Sequence, residues 1–129
     1  MIIGIGIDAV DIGRFRAALE RTPSMRHRLF VDEELSYVEA HADPVPSLAV
    51  RFAAREAVMK SMGVGLGAFD FHDVWVSRVE SGEPSLRIEG RARRLADERS
   101  IDRWHVSLTH SDSMAVAYVI AEGVRTLSS

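Results

Sequence analysis

Two carboxylates, a lysine and a glycine-rich loop are the residues of this chain whose types and spacing could do chemistry. Asp8 ends a β-branched run broken only by Gly4 and Gly6. At the end of a buried strand a carboxylate is costly unless it is capped, paired or bound to a metal. Asp8 therefore either caps the turn into the next helix or serves as a magnesium ligand, because hard divalent ions take one or two carboxylates together with substrate phosphate oxygens. Glu56 and Lys60 stand four apart in a helical stretch. They are either a surface ion pair worth ~0.3–0.5 kcal/mol or part of a site, since both adjoin the apolar stripe of Phe52, Ala53 and Ala57, where a charge needs a reason. If Glu56 faces Asp8, the two can hold one cation while Lys60 meets the phosphate it bridges. Phosphoryl-type transfer needs that division of labour.

Gly63, Gly65 and Gly67 follow the helix instead of preceding one, so they lack the N-terminal dipole geometry of a P-loop. As a phosphate cradle the loop is weak; as a helix stop followed by a mobile segment it is ordinary. Ser107, Thr109 and His110 close a strand where polar groups converge. A serine nucleophile there needs a base and an orienting acid, which spacing does not supply. Arg14, Arg16, Arg21, Arg26 and Arg28 concentrate basic charge early in the chain. They are either a solvated face or a docking surface for an acidic partner.

The elements that must position these residues read as α+β with an antiparallel sheet. A strand over residues 2–7 leads into a helix that Asp11 caps and that buries Phe15 and Leu19. Asp32 opens a second helix, and Asp43-Pro44-Val45-Pro46 is a rigid break. Ser47 caps the longest helix, 48–62, which Gly63 terminates. Strands over 74–79 and 86–88, a helix over 90–100, and strands over 104–110 and 114–121 follow. The 129 residues suit one domain, which would bury about two-thirds of its extended surface. Cysteine is absent, which excludes disulfides, thiolate metal sites and cysteine nucleophiles. A net charge of −3 argues against nucleic acid as partner. No apolar run approaches a membrane span, and the N-terminus reads as a mature start, so a cytoplasmic protein is expected.

Together these residues resemble the holo-[acyl-carrier-protein] synthase family of small 4′-phosphopantetheinyl transferases. The resemblance runs along almost the whole chain, so a single domain of that fold is expected over 1–129. It is carried by Gly4-Ile5-Gly6-Ile7-Asp8 with Arg14, by Arg51-Phe52-Ala53-Ala54-Arg55-Glu56-Ala57 with Lys60 and Gly63, and by Trp104-His105-Val106-Ser107-Leu108-Thr109-His110. It implies transfer of the phosphopantetheine arm of coenzyme A to a serine of apo-acyl carrier protein, with release of adenosine 3′,5′-bisphosphate. It further implies Mg²⁺ on Asp8 and Glu56, catalytic roles for Glu56 and Lys60, and coenzyme A on Arg51, Lys60, Gly63, Gly65, Thr109 and His110. Arg14 and Arg21 would face the carrier protein, and the active sites would lie between the subunits of a homotrimer. Either Glu56 or a water beside it would be the base. Arg55 departs from the lysine usual in the family, and its planar fork is not equivalent to an ammonium. A metal-dependent pyrophosphate hydrolase and a non-catalytic coenzyme A or carrier-binding module are the alternative readings.

Overall fold

The computed structural model describes residues 1–124; residues 125–129 of the expected domain lie outside the described residues. The chain runs β1 (Ile2–Asp11), α1 (Ile12–Arg21), α2 (Met25–Leu29), α3 (Asp32–Glu39), α4 (Val45–Met62), a 3₁₀ turn (Phe71–Asp73), β2 (Val74–Arg78), β3 (Pro84–Ile88), α5 (Gly90–Glu98), β4 (Arg103–His110) and β5 (Met114–Glu122). The strands form two antiparallel sheets, one ordered β1-β5-β4 and the other the β2-β3 hairpin. The expected α+β class with a long central helix is what forms.

The long helix starts earlier than its sequence suggests. Pro44 is the N-cap residue, and Val45 and Pro46 lie in the first turn of α4, so the expected break is instead a helix start. First-turn N–H groups have no intrahelical acceptor, so a proline there loses nothing. Ser47 is consequently inside the helix and caps nothing; its hydroxyl takes the Arg51 guanidinium. At the other end Gly63 adopts φ +70°, and the N–H of Val64 reaches the Met59 carbonyl at 3.0 Å, closing the helix as expected.

Helix α4 is buried on nearly every side because small residues meet it across the sheet. Ala115, Ala117, Val119 and Ala121 of β5 point inward, fully buried. Gly4 and Gly6 of β1 sit on the same face, and a Cβ on either would overlap α4 backbone: the Ser61 carbonyl oxygen for Gly4, the Ala57 carbonyl oxygen for Gly6. The close approach inferred from the glycine spacing is therefore backbone against backbone. β1 also continues past its expected end. β5 pairs with it as far as Met114 opposite Asp11, which places Asp8 inside the strand opposite Ala117.

Two polar contacts join the rest to this core. Arg55 is fully buried; one terminal nitrogen donates to Glu34 Oε2 at 2.9 Å, the other binds Oε1, and Nε donates to the Phe71 carbonyl at 2.9 Å. Glu34 also accepts from the amides of Val31 and Val76. The arginine fork thus ties α3, α4, the 3₁₀ turn and β2 together, and every oxygen of the buried acid is used. Asp73 acts as a remote cap for α5, accepting from the amides of Arg91 (3.1 Å) and Ala92 (3.4 Å). The one-turn helix α2 has too few residues for a periodic pattern to reveal it.

The glycine contact makes a direct prediction. Gly6→Ala should destabilise the protein by roughly 2–3 kcal/mol and lower its melting temperature by about 10 °C, because α4 backbone cannot yield to the new methyl. Equal melting temperatures for Gly6→Ala and wild type would show that β1 does not rest on α4.

Candidate active site

Along the inward face of β1 the side chains run Gly4, Gly6, Asp8, so Asp8 is the first inward group with reach. It meets α4 where that helix presents Glu56 and Lys60 on successive turns. Lys60 Nζ donates to Asp8 Oδ1 at 2.9 Å and to the Ile7 carbonyl at 3.0 Å. The Asp8 side chain is 16% exposed and that of Lys60 54%, so the carboxylate is lodged against the helix while the ammonium stays in water. Asp8 caps no turn: that task falls to Asp11, which accepts from the Arg14 amide at 2.9 Å.

Glu56 is half-buried and lies close enough to Asp8 and Lys60 to feel both charges. Burial pushes its carboxyl above the usual carboxylate range, the neighbouring Asp8 pushes it further, and Lys60 opposes them. Two acidic groups sharing a half-dry pocket with one ammonium are a set of hard oxygen donors short of positive charge. Among the described residues no group of three or more His, Asp or Glu clusters to form a complete protein cage for a metal. The donor set therefore fits a hard cation that fills its remaining positions with water and substrate oxygen.

Arg51, Thr109 and His110 do not join this triad. They line a second cavity, of about 470 Å³, on the other flank of α4, with Tyr37, His41, Ser47 and Arg78 among its further walls. Asp8 lies on β1 and the pair Thr109–His110 on β4, with β5 between them. Arg51 is 1% exposed, donates to the Ser47 carbonyl at 3.1 Å and leaves its buried Nε without a partner among the described residues. Tyr37, His41 and Arg78 escaped the sequence reading. Tyr37 and His41, four apart, carried a faint signal as an aromatic pair on one helical face; Arg78 carried none.

The glycine loop lies directly beyond Lys60. Gly63 and Gly65 are exposed, and a Cβ on either would meet nothing within 4 Å. Gly63 is required by its left-handed backbone; nothing in the fold requires glycine at 65. Arg14 and Arg21, seven apart, share one side of α1, exposed, and neither is ion-paired among the described residues. Arg16 differs, because Asp43 takes its guanidinium through contacts of 3.0 and 2.6 Å.

Comparison with known proteins decides the family. The family model described as the 4′-phosphopantetheinyl transferase superfamily matches residues 4–119. The chain belongs to that superfamily. A holo-[acyl-carrier-protein] synthase of Streptomyces griseus is 48% identical over 124 residues, covering 95% of this chain and 100% of the relative. The crystal structure of the Neisseria meningitidis holo-[acyl-carrier-protein] synthase is similar with a TM-score of 0.86 at 31% identity, over 95% of this chain and 99% of that one. A Bacillus anthracis holo-(acyl-carrier-protein) synthase in complex with CoA (3′,5′-ADP) is similar with a TM-score of 0.80 at 29% identity, over 96% and 99% of the two chains.

In this phosphopantetheinyl transferase the departure at Arg55 is resolved by its surroundings. The arginine is fully buried on Glu34 and is spent on holding the fold.

The raised Glu56 carboxyl makes a prediction that needs no activity assay. An acid whose folded-state affinity for its proton is raised loses stability as pH climbs from its ordinary value to the raised one, and above that the penalty is complete. Near pH 8 the isosteric Glu56→Gln should therefore melt a few degrees above wild type in metal-free buffer. Added Mg²⁺ should raise the wild-type melting temperature more than that of the variant. A Glu56→Gln variant that melts below metal-free wild type would refute the strain assigned to this carboxylate.

Proposed function

We propose that this transferase is a holo-acyl-carrier-protein synthase acting as a single domain. It carries the 4′-phosphopantetheine of coenzyme A to a serine of apo-acyl carrier protein. The observation that carries the mechanism is the meeting of Asp8, Glu56 and Lys60 where β1 lies on α4. Asp8 and Glu56 would hold Mg²⁺, which when bound neutralises charge on the coenzyme A pyrophosphate and orients it for in-line displacement. Lys60, its head in water, turns readily from Asp8 to a phosphate oxygen and stabilises charge as the bond breaks. The bare backbone at Gly63 and Gly65 lets the pyrophosphate approach beside it. The serine oxygen attacks the phosphorus that bears the pantetheine arm, and the bond from that phosphorus to adenosine 3′,5′-bisphosphate breaks. Glu56, or a water beside it, would accept the serine proton.

The adenosine and 3′-phosphate end is assigned to the cavity of Arg51, Thr109 and His110. Because that cavity and the acidic triad lie on opposite flanks of α4, one complete site draws on two copies of the chain. The outer face of the three-stranded sheet supports such an assembly. Ile5 (51% exposed), Ile7 (54%) and Tyr118 (38%) stand together on it, and Ile7 is opposite Tyr118. A homotrimer with sites between subunits closes this face. Arg14 and Arg21, unpaired among the described residues, would present positive charge to the acidic carrier protein. Among the described residues no helix is long and apolar enough to cross a membrane, and the reaction is assigned to the cytoplasm.

The test is the intact mass of apo-acyl carrier protein incubated with this protein, coenzyme A and Mg²⁺. A gain of one phosphopantetheine arm is expected, with loss of that gain on chelation or in Asp8→Asn. Co-expression of Asp8→Asn with His110→Ala chains should restore part of the activity, because a mixed assembly contains some sites with both halves intact. Cleavage of coenzyme A without any gain in carrier mass would make the protein a hydrolase. Failure of the mixed chains to recover would place each site within one copy.

The basic face of α1 has its own readout. Arg14→Glu should raise KM for the carrier protein about tenfold, as expected for loss of one well-placed charge contact, and leave KM for coenzyme A nearly unchanged. An unchanged carrier KM would remove α1 from the docking surface.

A further inference from the structure

The cavity on the far flank of α4 carries an electrostatic imbalance that the fold does not resolve. The guanidinium carbon of Arg51 lies 4.6 Å from the Tyr37 ring centroid, and that of Arg78 lies 5.3 Å from the same ring. Two like charges thus share one aromatic surface, with the His41 ring 5.2 Å from Tyr37 and His110 also on the cavity wall. The acids nearby are already committed. Asp43, which lines the cavity, is held by Arg16, and the buried Glu34 is held by Arg55. Neither Arg51 nor Arg78 forms an ion pair among the described residues.

The donors are also undersubscribed. Arg51 is 1% exposed, and its Nε–H is buried with no acceptor among the described residues, a rare and costly state in a folded protein. Burial chiefly, and the charge of Arg78 as well, lower the hold of Arg51 on its proton, against the pull of Glu34. Arg78 stands in the open at the end of β2, where one terminal nitrogen donates to the Gly82 carbonyl at 2.7 Å. That bond and the Tyr37 ring hold its guanidinium at the cavity wall and leave its remaining donors available. An exposed guanidinium fork beside the buried one of Arg51 is matched by a tetrahedral dianion with several acceptor oxygens, which is a phosphate monoester. A pyrophosphate diester linkage presents less charge per phosphorus and no terminal face of three oxygens.

We infer that Arg78, held over the Tyr37 ring, is a specificity-determining residue that makes the transferase prefer a donor bearing a 3′-phosphate monoester over the same donor without it. The inference rests on the proposed function, in which coenzyme A is the donor. It adds two residues from outside the recognisable motifs, one from α3 and one from the β2-β3 hairpin, which meet only in the folded chain.

The experiment compares coenzyme A with 3′-dephospho-coenzyme A as donors, for wild type, Arg78→Ala, Tyr37→Leu and Tyr37→Phe. Binding of adenosine 3′,5′-bisphosphate against adenosine 5′-monophosphate is measured by calorimetry on the same proteins. Wild type should favour coenzyme A, and Arg78→Ala should reduce that preference about tenfold, the size expected for one charge-assisted contact. The loss should fall on KM for coenzyme A rather than on kcat. Tyr37→Leu should reproduce it, and Tyr37→Phe, which keeps the ring, should not. In calorimetry Arg78→Ala should weaken the bisphosphate about tenfold and the monophosphate much less. Equal use of both donors by wild type, or an Arg78→Ala effect of the same size on both, would overturn the inference while leaving the transferase reading in place. If wild type transfers from neither donor, the transferase reading fails, and the calorimetric comparison of the two nucleotides still decides the role of Arg78.

Discussion

The structure depends on one steric constraint: the backbone of β1 lies directly on the backbone of α4, with no side chain between them. Gly4 and Gly6 on the strand, and Ala57 and Ser61 on the helix, leave no volume to fill. At such a separation the first larger inward residue of the strand must either clash with the helix or reach along its side. Asp8 reaches along it and finds Lys60 and the half-buried Glu56. A strand that packed through ordinary aliphatic side chains would stand farther off, and the two carboxylates would no longer share one charge environment. Close packing and the acidic site are thus consequences of the same glycines.

Helix α4 is held on its other flank by a charged contact. Arg55 reaches through the core to Glu34 and donates through Nε to the Phe71 carbonyl, so that α3 and the β2-β3 hairpin are located relative to α4 by oriented bonds. A buried ion pair does little for net stability, because desolvation offsets most of its attraction, but it strongly disfavours any arrangement that parts its members. What it specifies here is geometry. Tyr37 is on α3 and Arg78 ends β2, and Glu34, itself on α3, anchors both elements by bonding Arg55 of α4 and the Val76 amide of β2. The cationic cavity is assembled by that junction.

Opposite charges are therefore segregated to the two sides of a single helix. The β1 side carries Asp8, Glu56 and Lys60; the β4 side carries Arg51, Arg78, His41 and His110 around an aromatic ring, with Asp43 taken up by Arg16. Each side is incomplete in charge, and each is left so by rigid packing, the kind of preorganisation that favours a ligand bringing the missing sign. A long donor with a pyrophosphate at one position and a monoester at another would suit both in the proposed assembly, where neighbouring copies supply the two sides.

The local sequence determined the elements wherever a residue acts on its own neighbourhood. Asp11 caps α1, Gly63 closes α4, and the alternation of β4 and β5 and the glycine spacing of β1 are all legible because their causes lie within a few residues. The family motifs around Asp8, Arg51-to-Lys60 and Thr109-His110 were legible for the same reason. The start of α4 was misread because Pro44 and Pro46 break helices in the interior and are accepted in the first turn, which spacing alone does not distinguish. Only the tertiary structure decided that Asp73 caps a helix seventeen residues away, that Arg55 is consumed by Glu34, and that the triad and the cavity of Arg51 are held apart. It also decided that Tyr37 and Arg78 meet. Those outcomes depend on which surfaces the chain buries together, and a contact between residues distant in sequence leaves no periodic trace in either of them.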